Sequence, residues 1–146
     1  MYQFQPANQK WWNKPLVLVG GRRLPAELVI LDLELKDSEE GVWMNSRKPE
    51  SGVIDLLQLG EADFKTARVS VPGLVTDYLC QVYMAAKLKK GCPDLVIWNR
   101  TEELLRLVEV KCPHWDRPTP EQEVFMDSAE SIGIPTSIVE WEFEDE

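Results

Sequence analysis

Two acids and a lysine stand in this chain where a sheet would more readily carry apolar side chains. They lie in residues 91–111, GCPDLVIWNRTEELLRLVEVK, where Asp94 opens one apolar stretch and Glu109 and Lys111 close the next. Across Leu107, Val108, Glu109, Val110 and Lys111, the two-residue period of a strand sends Val108 and Val110 to one face and the other three to the opposite face. Charges among apolar neighbours are costly unless they are paired, solvated in a cleft or bound to a metal. An antiparallel hairpin sets its first residue opposite its last, which predicts Asp94 beside Glu109. Two neighbouring carboxylates can hold Mg²⁺ or Mn²⁺, and such ions activate a water, take up charge growing on a phosphate and stabilise the leaving oxygen. A lysine beside them can orient that water or steady the phosphate. The backbone carbonyl of Val110, between the two side chains, is a candidate further ligand. The chemistry that fits these groups is phosphodiester hydrolysis.

The ordered set Pro93-Asp94, Glu109-Val110-Lys111 and Gln122 resembles the PD-(D/E)xK nuclease pattern, in its virus-type replication-repair nuclease (VRR-NUC) variant. GCPDLVIWN, LVEVK and TPEQ look most like the C-terminal nuclease domain of the Fanconi-associated nuclease family. The short interval between Asp94 and Glu109 suits that family's hairpin, and there too a helix ends in glycine before the Pro-Asp strand. Good resemblance covers residues 79–139 and extends more weakly back to Glu50. It implies an α/β (α+β) restriction-endonuclease-like core, a central mixed sheet flanked by helices, over residues 50–146. Residues 1–49 would form a β-rich N-terminal extension.

The resemblance further implies a metal-dependent DNA endonuclease acting on branched, flapped or four-way-junction DNA in repair, recombination or phage replication. Asp94 and Glu109 would bind Mg²⁺ or Mn²⁺, Lys111 would be the catalytic lysine and Gln122 an accessory group. Small stand-alone members, some of them homodimers, are the nearer likeness. Family members also carry an upstream helical acid that completes metal binding. Glu61, Glu27 and Asp77 are the candidates, with Glu61 preferred because it lies at the margin of the weaker resemblance.

The elements that must position these groups follow from the pattern around them. Residues 1–14, with Pro6, Asn8, Trp11 and Trp12, show no period and read as an arm over the surface. Residues 16–19 read as a strand ended by Gly20-Gly21, residues 28–36 as a second, half-buried strand, and residues 42–44 as a third, together a small antiparallel sheet. Residues 46–51 are loop, and residues 53–66 are ambiguous between loop and a short helix interrupted by Gly60. Thr76 predicts an N-cap for a helix burying Leu79, Val82, Tyr83 and Ala86, with Lys87, Lys89 and Lys90 in its last turn and Gly91 as its stop. Thr119-Pro120-Glu121-Gln122 combines a Thr cap, Pro at the first helical position and a Gln that completes a capping box. The helix it opens is expected to bury Val124, Phe125, Ala129 and Ile132 and to stop at Gly133. Val139, Trp141 and Phe143 then alternate in a last strand.

The totals narrow the class. At 146 residues, 44% hydrophobic and 28% charged, the composition is that of one globular domain. No apolar run is long enough to span a bilayer, and the first residues lack the pattern of a signal peptide. The expectation is a cytoplasmic or nucleoid-associated protein, nuclear in a eukaryote, with no membrane partner. Cys80, Cys92 and Cys112 are an odd number, which excludes a complete disulfide framework. With His114 they suffice in number for zinc, but no pair has C-x-x-C spacing.

The net charge of −9 argues against gripping DNA by electrostatics alone. Five of the acids lie in the last seven residues. A competing reading is therefore a non-catalytic protein- or nucleic-acid-binding module on a nuclease-derived fold, with residues 1–75 as its contact surface. Trp115 and Arg117, in the loop after the lysine strand, suit stacking and phosphate contacts, or a lid on the core.

Overall fold

A computed structural model describes residues 1–11, 14–44, 54–55, 69–101 and 103–144. Gly20 and Gly21 both adopt positive φ, 57° and 78°, as a two-residue hairpin turn of type I′ requires. They join β2 (Lys14–Val19) to β3 (Arg22–Leu24). The segment expected as an irregular arm is instead strand β1 (Tyr2–Trp11), antiparallel to β2 and parallel to the last strand, β9 (Thr136–Phe143). Its register shifts between Pro6 and Lys10, around Asn8 at φ 55°. Such an irregularity breaks the alternation of faces, which hides the strand from any test of period.

The expectation of a strand over residues 28–36 is also corrected, because Ala26–Glu34 form helix α1. Pro25 stands extended at its N-cap, and Ala26, Glu27, Leu28, Val29, Ile30 and Leu31 are all buried. A helix buried on so much of its circumference shows no apolar stripe. The chance spacing of Val29, Leu31, Leu33 and Leu35 then mimics a strand.

β4 (Glu39–Trp43), β7 (Leu95–Asn99) and β8 (Leu104–Lys111) complete a seven-stranded mixed sheet in the order β3-β2-β1-β9-β8-β7-β4. β8 runs parallel to β9, and β4, β7 and β8 pair antiparallel. The small antiparallel sheet expected of the first half is thus shared out, with β1–β3 at one side of the large sheet and β4 at the opposite edge. Strands drawn from both sides of residue 49 belong to one sheet. A separate short pair joins β5 (Ile54–Asp55) to β6 (Val69–Ser70).

Helices cover both faces, so the fold is of the expected α/β class. Leu28, Ile30 and Leu31 of α1 pack with Ile97, Val108 and Val110 on one face. On the other, Val75, Leu79 and Val82 of α2 (Gly73–Ala86) and Phe125 and Ala129 of α3 (Pro120–Ser131) cover Val96, Trp98 and Leu107.

Both ends of α2 differ from expectation. It begins at Gly73 after Pro72, not at Thr76, and ends at Ala86, where Lys87 takes the left-handed conformation and donates to the Met84 and Tyr83 carbonyls. Lys87, Lys89 and Lys90 therefore lie beyond the last turn. Gly91 serves another purpose: at φ 117°, a Cβ there would meet the Glu121 carbonyl oxygen at 2.8 Å. Its lack of a side chain lets the start of α3 approach the loop that carries Asp94.

The start of α3 has the expected capping box, but Val124 and Ile132 are exposed and Met126 takes the buried place.

Candidate active site

The hairpin brings the sequence-predicted groups to one end of the sheet. Leu95 pairs with Val108, so Asp94 stands at the step beside Glu109. Two hydrogen bonds hold Asp94 there. Its backbone carbonyl accepts from Met44 N at 2.7 Å, and its Oδ2 accepts from Val110 N at 2.9 Å. The strand period does what was expected of it, since Val108 and Val110 join the core under α1 while Leu107 joins the core under α2 and α3.

Glu109 is 0% exposed, and neither of its carboxylate oxygens has a hydrogen-bond partner. Lys111 Nζ lies 3.4 Å from Glu109 Oε1 and 3.3 Å from Asp116 Oδ1. Asp116 is placed by a tight reversal in which Trp115 N and Asp116 N both donate to the Cys112 carbonyl.

A third acid enters from α1. Glu27 is buried, its Oε1 accepting from Lys14 Nζ at 2.6 Å and its Oε2 left without a partner. Of the three upstream acids weighed from sequence, Glu27 lies on α1 and feels the Asp94 charge. Asp77 is exposed on α2, and Glu61 lies outside the described residues.

The electrostatics follow from this crowding. Burial first, and then the adjacent Asp94 carboxylate, push the Glu109 carboxyl up to about 10, with Lys111 opposing. Burial likewise raises Glu27; Lys14 lowers it and the Asp94 charge adds to the rise. For Lys111 burial acts to lower the value, but Glu109, Asp94 and Asp116 outweigh it and hold the ammonium charged. Burial, ahead of any neighbouring charge, is therefore what favours the protonated form of both glutamates.

Three buried carboxylate oxygens without a hydrogen bond, two on Glu109 and one on Glu27, are what a cation site offers before it is filled. The ligands on the hairpin, Asp94, Glu109 and the Val110 carbonyl, are all oxygen, the type that Mg²⁺ and Mn²⁺ favour. Among the described residues no three His, Cys, Asp or Glu side chains form a ready metal cage. Sites of this kind are commonly finished by water and substrate phosphate. Cys80 is exposed and Cys112 buried, and His114 Nε2 lies 3.6 Å from Glu142.

Gln122 is engaged in the capping box, its Oε1 accepting from Thr119 N at 2.9 Å and its N–H donating to Thr119 Oγ1 at 3.1 Å. Trp115 is 53% exposed, with its ring edge-on to Trp141 at 5.7 Å and tilted over Phe143 at 6.0 Å, so it partly lids the core.

Sequence reasoning passed over Lys14 and Asp116. Nothing local marks Lys14. Asp116, five residues after Lys111, carried a usable signal, because an acid in the loop leaving a lysine strand is a natural partner for that lysine.

The chain is similar to paFAN1 in a crystal structure bound to 2-nt 5′-flap DNA with a gap, at 20% identity and a TM-score of 0.38. That likeness covers 49% of this chain and 13% of the paFAN1 chain. No curated protein matches the chain. The VRR-NUC domain pattern matches residues 36–140, which take in the Asp94–Lys111 hairpin, α2 and α3. With well over half its length matched in this way, the chain belongs to the VRR-NUC domain family.

Proposed function

We propose that this protein is a divalent-metal-dependent DNA endonuclease selective for branched or flapped DNA. One observation carries the reading: the hairpin sets Asp94 beside a fully buried Glu109 whose two oxygens accept no hydrogen bond, with the Lys111 ammonium 3.4 Å away. Asp94, Glu109 and the Val110 carbonyl would hold Mg²⁺ or Mn²⁺, which when bound supplies a Lewis acid and a water of lowered pKa.

The chain's own residues do the rest. Val110 N–H fixes one oxygen of Asp94, so that side chain keeps its direction when a substrate enters. Glu109, whose carboxyl is raised by burial and Asp94 in the metal-free chain, would hold the ion as a carboxylate. Lys111, anchored by Asp116, keeps its proton and steadies charge on the phosphate or orients the attacking water, in place of acting as a base. Glu27 takes the part of upstream helical acid that the sequence reading preferred for Glu61. Gln122, with its carbonyl oxygen used in the cap, has its amide nitrogen to offer to phosphate or water. Selectivity for branched DNA rests on the likeness of GCPDLVIWN, LVEVK and TPEQ to the Fanconi-associated nuclease domain.

The test is Mn²⁺-dependent cleavage of junction, flap and linear DNA by wild type, Lys111→Ala and Asp94→Ala. Branched DNA should be cut in preference, and each variant should slow cutting on the order of 10²–10³-fold. If no substrate is cut, or the variants cut as fast as wild type, the enzymatic reading fails. The second reading, a non-catalytic binding module on the nuclease fold, then stands, and the net charge of −9 is the observation in its favour.

A further inference from the structure

Lys14 and Glu27 both precede the family match, which begins at residue 36, yet they complete the acid cluster. Lys14 is the first residue of β2. Its Nζ stands 5.7 Å from the centre of the Trp43 ring and 2.6 Å from Glu27 Oε1. Trp43 pairs with Leu95, and the next residue, Met44, donates its N–H to the Asp94 carbonyl. The ring beneath Lys14 therefore belongs to the strand that anchors Asp94. An ammonium held against both an aromatic face and a carboxylate is well placed as a fixed positive charge. Two-metal phosphodiesterase sites set two cations a few ångströms apart among their acids. Here one of the acids has already found a cation within the chain.

We propose that Lys14 is a built-in cation of the active site: it engages Glu27 in place of a second metal, so that the chain binds one divalent ion, on the Asp94 and Glu109 side. The N-terminal strands thereby contribute a working charge as well as extending the sheet. This inference rests on the metal-dependent reading above.

The experiment counts Mn²⁺ bound by the full chain without DNA, by titration calorimetry and by electron paramagnetic resonance. Wild type should take up one ion. Lys14→Gln should take up two, with the spin-coupled signal of neighbouring Mn²⁺ ions. Lys14→Arg keeps the charge and should stay at one. The double variant Lys14→Gln/Glu27→Gln, which lacks the acid for a second ion, should also return to one. Two ions in wild type, or one uncoupled ion in Lys14→Gln, overturns the role of Lys14 and leaves the metal-dependent reading intact. No ion in wild type overturns the role of Lys14, and the Mn²⁺-dependent cleavage assay above decides the metal-dependent reading separately.

Discussion

Two groups of acids on this sheet have opposite surroundings. Around Arg106 the acids are matched. Arg106 Nη1 lies 3.3 Å from Glu34 Oε1, and Nη2 lies 2.7 Å from the Glu34 carbonyl and 3.4 Å from Glu39 Oε1. Tyr2 OH donates to Glu34 Oε2 at 2.7 Å, and Lys36 N to Glu39 Oε1 at 2.9 Å. At the other group, Lys111 is within ion-pair distance of Glu109 and Asp116, yet both Glu109 oxygens, and Glu27 Oε2 beside Lys14, are buried without a hydrogen bond.

Proton affinity records the difference. Glu39 is held below the usual carboxylate range: burial opposes, but the Lys36 N–H and the Arg106 guanidinium prevail. Glu109 is pushed up to about 10. Matched acids serve the fold, here by tying the end of α1 to β8 and β4. Unmatched buried acids weaken a fold unless a ligand completes them. That contrast supports the proposal of the Lys111 cluster as the site and the Arg106 cluster as a brace.

The comparison breaks most sharply on catalysis. Lys111→Ala should slow Mn²⁺-dependent cleavage by about 10²–10³-fold, whereas Arg106→Met should leave the rate per folded molecule unchanged. Equal losses in a cleavage assay would erase the distinction between site and brace.

The next largest effect is on pH dependence. Above about 4.5 the unfolded chain releases the Glu109 proton, while the metal-free folded protein keeps it until about 10. The unfolded state thus binds fewer protons, and stability should fall as pH rises through that window. Glu109→Gln should flatten the fall by one proton's worth of slope in thermal melts from pH 5 to 9. Mn²⁺ should raise the melting temperature of wild type and not that of the variant.

Arg106→Ala should lower stability in urea melts by about 1–3 kcal/mol, since the guanidinium is partly solvated and its acid partners can recover some hydration. An unaltered midpoint would show that the brace carries no weight.

The smallest effect separates capping from chemistry. Thr119→Ala and Gln122→Ala each disrupt the capping box and should destabilise by about 1 kcal/mol. A cleavage loss larger for Gln122→Ala than for Thr119→Ala, at matched folded fractions, assigns the Gln122 amide to the site.

Much of this was legible in the chain. Leu107 to Lys111 declares its two faces by type alone, and the Thr119 box declares the start of α3, because both patterns depend on residues within a turn or a strand of one another. β1 and α1 were not legible, and for related reasons. An irregularity in β1 erases the period of a strand, and burial around most of α1 erases the stripe of a helix. Reading residues 28–36 as a strand left Glu27 without the helix it occupies, while Glu61 lies outside the described residues.

By itself the sequence determined the hairpin, the side of it that carries charge, and the family, because local period and ordered motifs need no knowledge of neighbours. Only the tertiary structure decided which acid and which lysine meet that hairpin. Lys14 meets Glu27, and both feel the Asp94 charge, because α1 packs against β7 and β8 while β2 joins the same sheet far along in strand order. Contacts between segments so distant in sequence follow from the packing of whole elements, and the residue types at either end leave them open.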